Sequence, residues 1–591
     1  MLSELNPQQK AAVEVEENAL IIACPGSGKT RVLTRKIALE IERNNSKKYV
    51  VALTYTNRAA DEINKRINEI GIVPEKLWVG TIHSFCYQWI LKPYAGYLEE
   101  LKDGFSITDE FEVEDLKSKL REEFGLNHYE NINTSMSREG MYVNDIDIVN
   151  EVAKELHRRI LNNRQIDFDL VLYYSYKLLT RYPKITRHLS RMISLILIDE
   201  FQDTQDLQYA IVGEIIKKSE EKCRLFLVGD PDQAIYGSLG GIAKSKIDIE
   251  KEIGGREIKL LGLEGNYRST QRIIDFYKSF QSTDIEIKSM NDYSELRGNV
   301  TFNKTIQKND IYREIVEIIK VNIQNGVKAN EICIIAPRWE FLVSMARKLN
   351  ALLPDIPFDA PGLTPLPRYI DNFWYKLTRL LLTDSIVNLY LVRMRWCKEI
   401  IEEINNLTNL NYSSESDDCR KLLKLMRRIK TSEEDGILYL KSIFLLVFES
   451  MDINLKLYPT LLVSWEYFFA GINKRYELEE FKDTPRNIEY FKSMFKPSNG
   501  VVVNTCYGVK GEEFETVIAF GLLWGYLPHW NSIIKKPYSN AKNDSNKLLY
   551  VIGSRAKRNL HLFAEQGRYT VNRNPYEINH QLKHSDFEFD I

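Results

Sequence analysis

Ala23-Cys24-Pro25-Gly26-Ser27-Gly28-Lys29-Thr30 sets two glycines, a lysine and a threonine between an apolar run and a helical pattern. That is the composition of a phosphate cradle. Glycines at 26 and 28 let backbone N–H groups approach phosphate oxygens, and a helix start adds a favourable field. Lys29 offers a charge to the β- and γ-phosphates, and Thr30 a hydroxyl to Mg²⁺. The loop from Ala23 to Thr30, with Arg31 directly after it, is the candidate nucleotide site. The strict pattern has glycine at position 23, where this chain has alanine. A purely structural strand–turn–helix junction is the competing reading, and GSGKT in this context argues against it.

Leu197-Ile198-Asp199-Glu200 ends a second apolar run on two carboxylates. Alone, an acidic pair after a strand usually just starts a loop. Coupled to the phosphate cradle it gains a purpose. Asp199 is the candidate Mg²⁺ ligand and Glu200 the candidate base that orients or deprotonates a water. The expected cofactors are therefore ATP and Mg²⁺.

These groups need strands to hold them. Short β-rich runs at Ala19–Ala23, Tyr49–Thr54, Leu195–Asp199 and Arg224–Asp230 alternate with helical patterns, which predicts a parallel sheet with helices on both faces. A second series follows at Glu331–Ala336, Val501–Thr505 and Thr516–Phe520. The intervals near 93–165 and 365–490 are helical in pattern, with a polar stretch at Asn131–Gly140 and an Asn/Ser/Asp-rich loop at Asn405–Asp418. A chain of 591 residues exceeds what one core supports. The fold class is α/β: two P-loop-type domains, each with an inserted helical subdomain. The expected boundaries are 1–92 with 166–270, an insert at 93–165, then 271–364 with 491–580, an insert at 365–490, and a tail at 581–591.

Composition is less specific. Lys+Arg is 80 against Asp+Glu 82, a net charge of -2, so no strongly basic small domain is indicated. Seven cysteines form no CxxC pair, and there is no HExxH, which argues against a disulfide framework or a zinc site. No basic-then-apolar leader and no apolar run of membrane-spanning length is present, so the expected compartment is cytoplasmic, with no membrane partner.

The order of further motifs resembles the superfamily 1 DNA helicases of the UvrD/Rep/PcrA family. Leu5-Asn6-Pro7-Gln8-Gln9-Lys10 is similar to its Q motif, Thr54-Tyr55-Thr56-Asn57-Arg58-Ala59-Ala60 to motif Ia, and Val79-Gly80-Thr81-Ile82-His83-Ser84-Phe85 to motif Ib. Asp199–Thr204 resembles motif II, Gly229–Tyr236 motif III, Leu263–Thr270 motif IV, Thr505–Phe514 motif V and Tyr550–Lys557 motif VI. The resemblance implies two RecA-like domains with ATP between them and movement 3′ to 5′ on single-stranded DNA or a tailed duplex. By it, Gln9 reads adenine, Tyr267 stacks on it, Glu513 lies near the ribose, Gln233 senses the γ-phosphate, and Arg268 and Arg555 are arginine fingers. Thr54, Tyr55, Asn57, His83, Phe85 and Lys510 are the implied strand contacts, with core packing the competing reading for either aromatic.

Three departures stand out. After Tyr236 the family's aromatic and arginine are replaced by Ser238 and Leu239, and motif V has Tyr507 where histidine is common. The second insert is short, and no nuclease domain is expected after motif VI. These changes touch strand engagement more than nucleotide binding. They keep open a second function, an ATPase subunit of a multiprotein anti-phage defence complex with a nuclease partner, similar to Gabija-type systems. A P-loop phosphotransferase or GTPase is a third, disfavoured by Gln9, the two arginines and the motif order.

Overall fold

The computed structural model describes residues 4–590 apart from 44–47, 72–75, 109, 128–129, 221, 238–239, 291–295, 361–364, 367–371, 386–388, 409, 414–415, 478–480, 482–483, 496–498, 535–536 and 571. Ser238 and Leu239 thus lie outside the described residues. The chain divides into two compact units. One comprises 1–106, 131–359 and 500–591, the other 107–130 and 360–499.

The larger unit holds two six-stranded parallel sheets. The first runs Leu77–Thr81, Tyr49–Thr54, Ile193–Asp199, Arg224–Gly229, Ala19–Ala23, Lys259–Leu263. Its strands are apolar on both sides because both faces are covered. Leu20, Leu53, Ile198 and Leu227 enter one core, while Ile21, Ala52, Leu197 and Phe226 enter another. Burying a leucine-sized side chain fully is worth about 1.5–3 kcal/mol, so this two-sided pattern fixes the register. The phosphate-cradle turn and the acidic pair both follow carboxyl ends of these strands, where ligands bind in open parallel sheets.

The second sheet runs Asn299–Asn303, Ala556–Phe563, Phe514–Ala519, Ile332–Ala336, Val501–Thr505, Phe358–Asp359, again all parallel. Helices Gln271–Lys278 and Tyr538–Ser554 pack together against it through Phe276, Tyr277, Leu549 and Tyr550. The segment expected as a tail docks on its edge. Asp590 accepts from Arg272 (2.9 Å) and the Val300 amide (2.8 Å), and Phe587 and Phe589 cover Phe276.

The smaller unit is helical. Its core gathers Trp374, Phe444, Phe448, Trp465 and Phe469 from helices Phe373–Leu382, Gly436–Ser450 and Pro459–Glu477. The loop expected at 405–418 is shorter. Helix Tyr390–Thr408 runs through Asn405, and helix Ser416–Arg428 starts before Asp418. The Asn405 amide donates to the Tyr412 carbonyl (2.7 Å) and accepts from its N–H (2.9 Å), so this polar residue serves the turn from inside the helix. Among the described residues, no helix is long and apolar enough to cross a membrane.

Candidate functional site

Strand Ala19–Ala23 delivers the chain into a turn in which Gly26 and Gly28 adopt φ of 69° and 82°, a region that favours glycine. A Cβ on Gly26 would sit 2.6 Å from Arg268 Cβ, and one on Gly28 2.9 Å from Gln9 Nε2. The turn closes through Ser27 Oγ donating to the Cys24 carbonyl (2.7 Å), and helix Lys29–Arg43 begins there. Neither the Lys29 ammonium nor the Thr30 hydroxyl makes a hydrogen bond among the described residues, so both are open to a ligand. Ala23, Cys24 and Pro25 are buried in the floor, and Arg31 points out beside Glu4.

Lys29 draws on four carboxylates, the buried Asp199, Asp203 and Asp230 and the half-buried Glu200. Burial pushes Asp199 well up, and the neighbouring Glu200 charge adds to it. Burial also raises Glu200, but Lys29, Lys510 and the Gln202 amide outweigh it and hold Glu200 low. Asp230 is pushed up to about 6 by burial against the pull of Lys29. Glu200 adopts the left-handed backbone (φ 52°, ψ 50°), a conformation that costs a non-glycine residue about 1–3 kcal/mol. Its carboxylate accepts from Gln202 Nε2 (2.6 Å), and its amide donates to Asp199 (3.0 Å). The strain turns Glu200 off the strand line while Asp199 stays at the strand end. Among the described residues no three acidic, His or Cys groups gather round one metal position, but the Asp199 carboxylate with the Thr30 hydroxyl fits the few protein ligands that Mg²⁺ takes beside a phosphate.

Two arginines reach this place, Arg268 from the segment after edge strand Lys259–Leu263 of the first sheet and Arg555 from the turn before strand Ala556–Phe563 of the second. Arg555, at the end of helix Tyr538–Ser554, is 1% exposed; it donates to Gln233 Oε1 (2.7 Å) and the Glu512 carbonyl (3.2 Å). Burial and the nearby Arg268 charge lower its pKa to about 10. Arg268 donates to Glu513 (2.8 Å) and the Ser554 carbonyl (2.9 Å). Gln233 in turn donates to Asp230 (2.8 Å), which the Tyr550 hydroxyl also reaches (3.3 Å). Gln9 is fully engaged: it donates to the Ser27 carbonyl (2.9 Å) and accepts from the Asn6 amide (3.2 Å). Tyr267 is 41% exposed, its hydroxyl bonded to Asn6 (2.6 Å).

Of the residues expected to meet a strand, some are open and some are not. Tyr55 is exposed and stacks on Tyr236 (5.0 Å, 20°), and Tyr507 lies 6.3 Å beyond Tyr236. Asn57 is exposed at the start of helix Asn57–Glu69, while Thr54 is buried and donates to the Thr56 carbonyl (2.9 Å). Phe85 is fully buried between Trp78 and Trp89 and has no open face. His83 sits edge-on to Phe168, and burial lowers its pKa to about 4, against Asp167. Lys510 is buried as well. Its Nζ donates to both Asp203 oxygens (2.8 and 2.6 Å) and the Gln233 carbonyl (2.6 Å), which uses all three donors. Asp203 is nonetheless raised to about 6, because its burial outweighs Lys510.

Residues 5–252 match the family model of the UvrD/REP helicase N-terminal domain. Over that part the chain resembles the UvrD/Rep/PcrA helicases. It is 33% identical over 302 residues to the ATP-dependent DNA helicase UvrD1 of Mycobacterium tuberculosis (strain ATCC 25618 / H37Rv), covering 46% of this chain and 38% of that protein. Over 301 residues it is 30% identical to the ATP-dependent DNA helicase PcrA of Bacillus subtilis (strain 168), covering 46% of this chain and 39% of that protein. It is 26% identical over 631 positions to the putative ATP-dependent DNA helicase YjcD of the same strain, covering 96% of this chain and 80% of that protein. The UvrD1 and PcrA matches thus span well under half of those relatives' lengths.

Sequence reading gave no role in this UvrD-like site to Asp203, Asp230, Tyr236, Tyr550 or Asp232. Each lies in or beside a quoted motif, and only the fold supplies its partner. Asp232 shows this most plainly: it accepts from the Ser282 amide (2.8 Å) and the Thr283 hydroxyl (2.6 Å), fifty residues away in sequence.

Proposed function

We propose that this chain is an ATP-driven motor on single-stranded DNA, built on two RecA-like domains that close on ATP and step 3′ to 5′. The observation that carries the reading is that Arg555, from the second sheet, meets Arg268, on the segment leaving the first sheet, beside the loop and acid group of the first. Such a site works by positioning and charge, with little covalent chemistry for the protein to do. The amides of Gly26–Thr30 and the Lys29 ammonium bind the β- and γ-phosphates. Thr30 and Asp199 would hold Mg²⁺, which when bound would neutralise charge on those phosphates. Glu200, kept ionised by Lys29 and Lys510, orients the attacking water and takes its proton. Arg555 and Arg268 stabilise charge on the transferring phosphoryl group. Tyr267 offers its open ring to adenine, and Gln9 reads the base after releasing Ser27.

Coupling to a strand follows from Lys510 and Gln233. Lys510 joins the motif V turn to Asp203 and the Gln233 backbone, and the Gln233 side chain joins Asp230 to Arg555. Movement of the Tyr55–Tyr236–Tyr507 group on binding bases therefore reaches Arg555 through Lys510, which lies over the Tyr236 ring, and two hydrogen-bonded steps at Gln233. Stacking on such rings is worth about 1–3 kcal/mol per base.

The polarity is tested with blunt, 3′-tailed and 5′-tailed duplexes in the presence of ATP. Opening of the 3′-tailed duplex alone is expected. Preference for the 5′ tail overturns the direction. ATP turnover with no opening at all points instead to a motor that acts only with a partner.

A further inference from the structure

Lys510, the cation expected at the strand, has no donor left for a phosphate. Lys510 lies 4.9 Å over the Tyr236 ring but is committed to Asp203 and Gln233, so a strand stacked on the tyrosines needs a second cation for its phosphate. Helix Tyr538–Ser554 supplies one. Lys547 lies one turn before Tyr550 on that helix, and Arg555 sits just past its end. Tyr550 reaches Asp230 and Arg555 reaches Gln233, so this side faces the 230–233 turn. Lys547 is half-buried there, yet it makes no hydrogen bond or ion pair among the described residues.

The charged groups around it are Asp544, Asp232 and Asp203, which favour its charge, and Lys510, which opposes it. Two of these acids are already satisfied. Asp203 is held by Lys510, and both Asp232 oxygens accept from Ser282 and Thr283. Tyr236 follows the 230–233 turn, and its hydroxyl donates to the Tyr507 carbonyl (3.1 Å), so this side of the helix looks toward the tyrosine group. An ammonium withdrawn from water without a partner is costly, and an anion arriving at Tyr507 would relieve that cost.

We propose that Lys547 contacts a backbone phosphate of the strand bound at Tyr236 and Tyr507, the role that sequence reading gave to Lys510. The inference rests on the strand-motor reading and adds to it the residue that holds the phosphodiester.

The test is binding of the full chain to fluorescent oligo-dT across a salt series. Loss of one phosphate contact lowers the slope of log affinity against log salt by about 0.7 for a single strand. Lys547→Ala and Lys547→Gln should both show that decrease with weaker binding, and Lys547→Arg should keep the slope of the unaltered chain. A residue that only supported the fold would change affinity without changing the slope. Equal slopes and affinities for all four proteins overturn the assignment of Lys547 alone. Absence of salt-dependent oligo-dT binding by the unaltered chain overturns the strand track and this contact together.

Discussion

Arg555→Ala should lower the ATP turnover of the full chain by about 10³–10⁵-fold, the range spanned by arginine fingers in comparable phosphoryl transfer. The guanidinium is buried beside a second arginine, Arg268, which makes its charge costly in the nucleotide-free protein. Gln233 Oε1, Ser554 Oγ and the Glu512 and Val551 carbonyls partly offset that cost. A group held charged in this way acts strongly on any phosphate brought to Lys29. Lysine at 555 should not restore the rate, because one ammonium cannot span Gln233, Glu512 and a phosphoryl oxygen as a planar fork does. Steady-state hydrolysis, with binding of a fluorescent ATP analogue measured in parallel, checks this. A loss below tenfold with unchanged binding would remove Arg555 from the reaction.

The second large effect is at Lys29. Its ammonium is the shared counter-charge of Asp199, Glu200, Asp203 and Asp230. Lys29→Ala therefore leaves the incoming triphosphate facing four carboxylates with no cation from the loop. Removing one preorganised donor from a catalytic site costs about 10²–10³ in rate, and removing a full charge should cost at least that. Turnover should fall below detection and ATP affinity should drop. Glu200→Gln separates the two roles: it should still bind ATP and fail to release it. Turnover retained by Lys29→Ala would sink the phosphate-cradle assignment.

Much of the sheet was legible because burial on two faces leaves unbroken apolar runs, as at Ala19–Ala23 and Leu195–Asp199. Strands that do not meet that condition were missed. Ala556–Phe563 opens with Lys557, Arg558 and Asn559, and only its second half, Leu560–Phe563, is wholly buried. Lys259–Leu263 lies at a sheet edge with its first two residues exposed. The glycine-rich turn was legible because its backbone demands are local. Phe85 was not, because Trp78 and Trp89, which enclose it, decide its burial. Lys510 was misread for the same kind of reason. Its partners Asp203 and Gln233 are 307 and 277 residues distant, and no spacing rule announces them. The left-handed backbone at Glu200 leaves no mark in residue type at all.

If strand binding at Tyr236 and Tyr507 drives an ATPase assembled from both sheets, adding a strand must raise turnover. Steady-state ATP hydrolysis by the purified chain, measured with and without oligo-dT, tests it most directly. A rise in turnover of tenfold or more on adding the strand, lost in Arg555→Ala, is the predicted result. Turnover that is equally fast with and without the strand would contradict the coupling through Lys510 and Gln233.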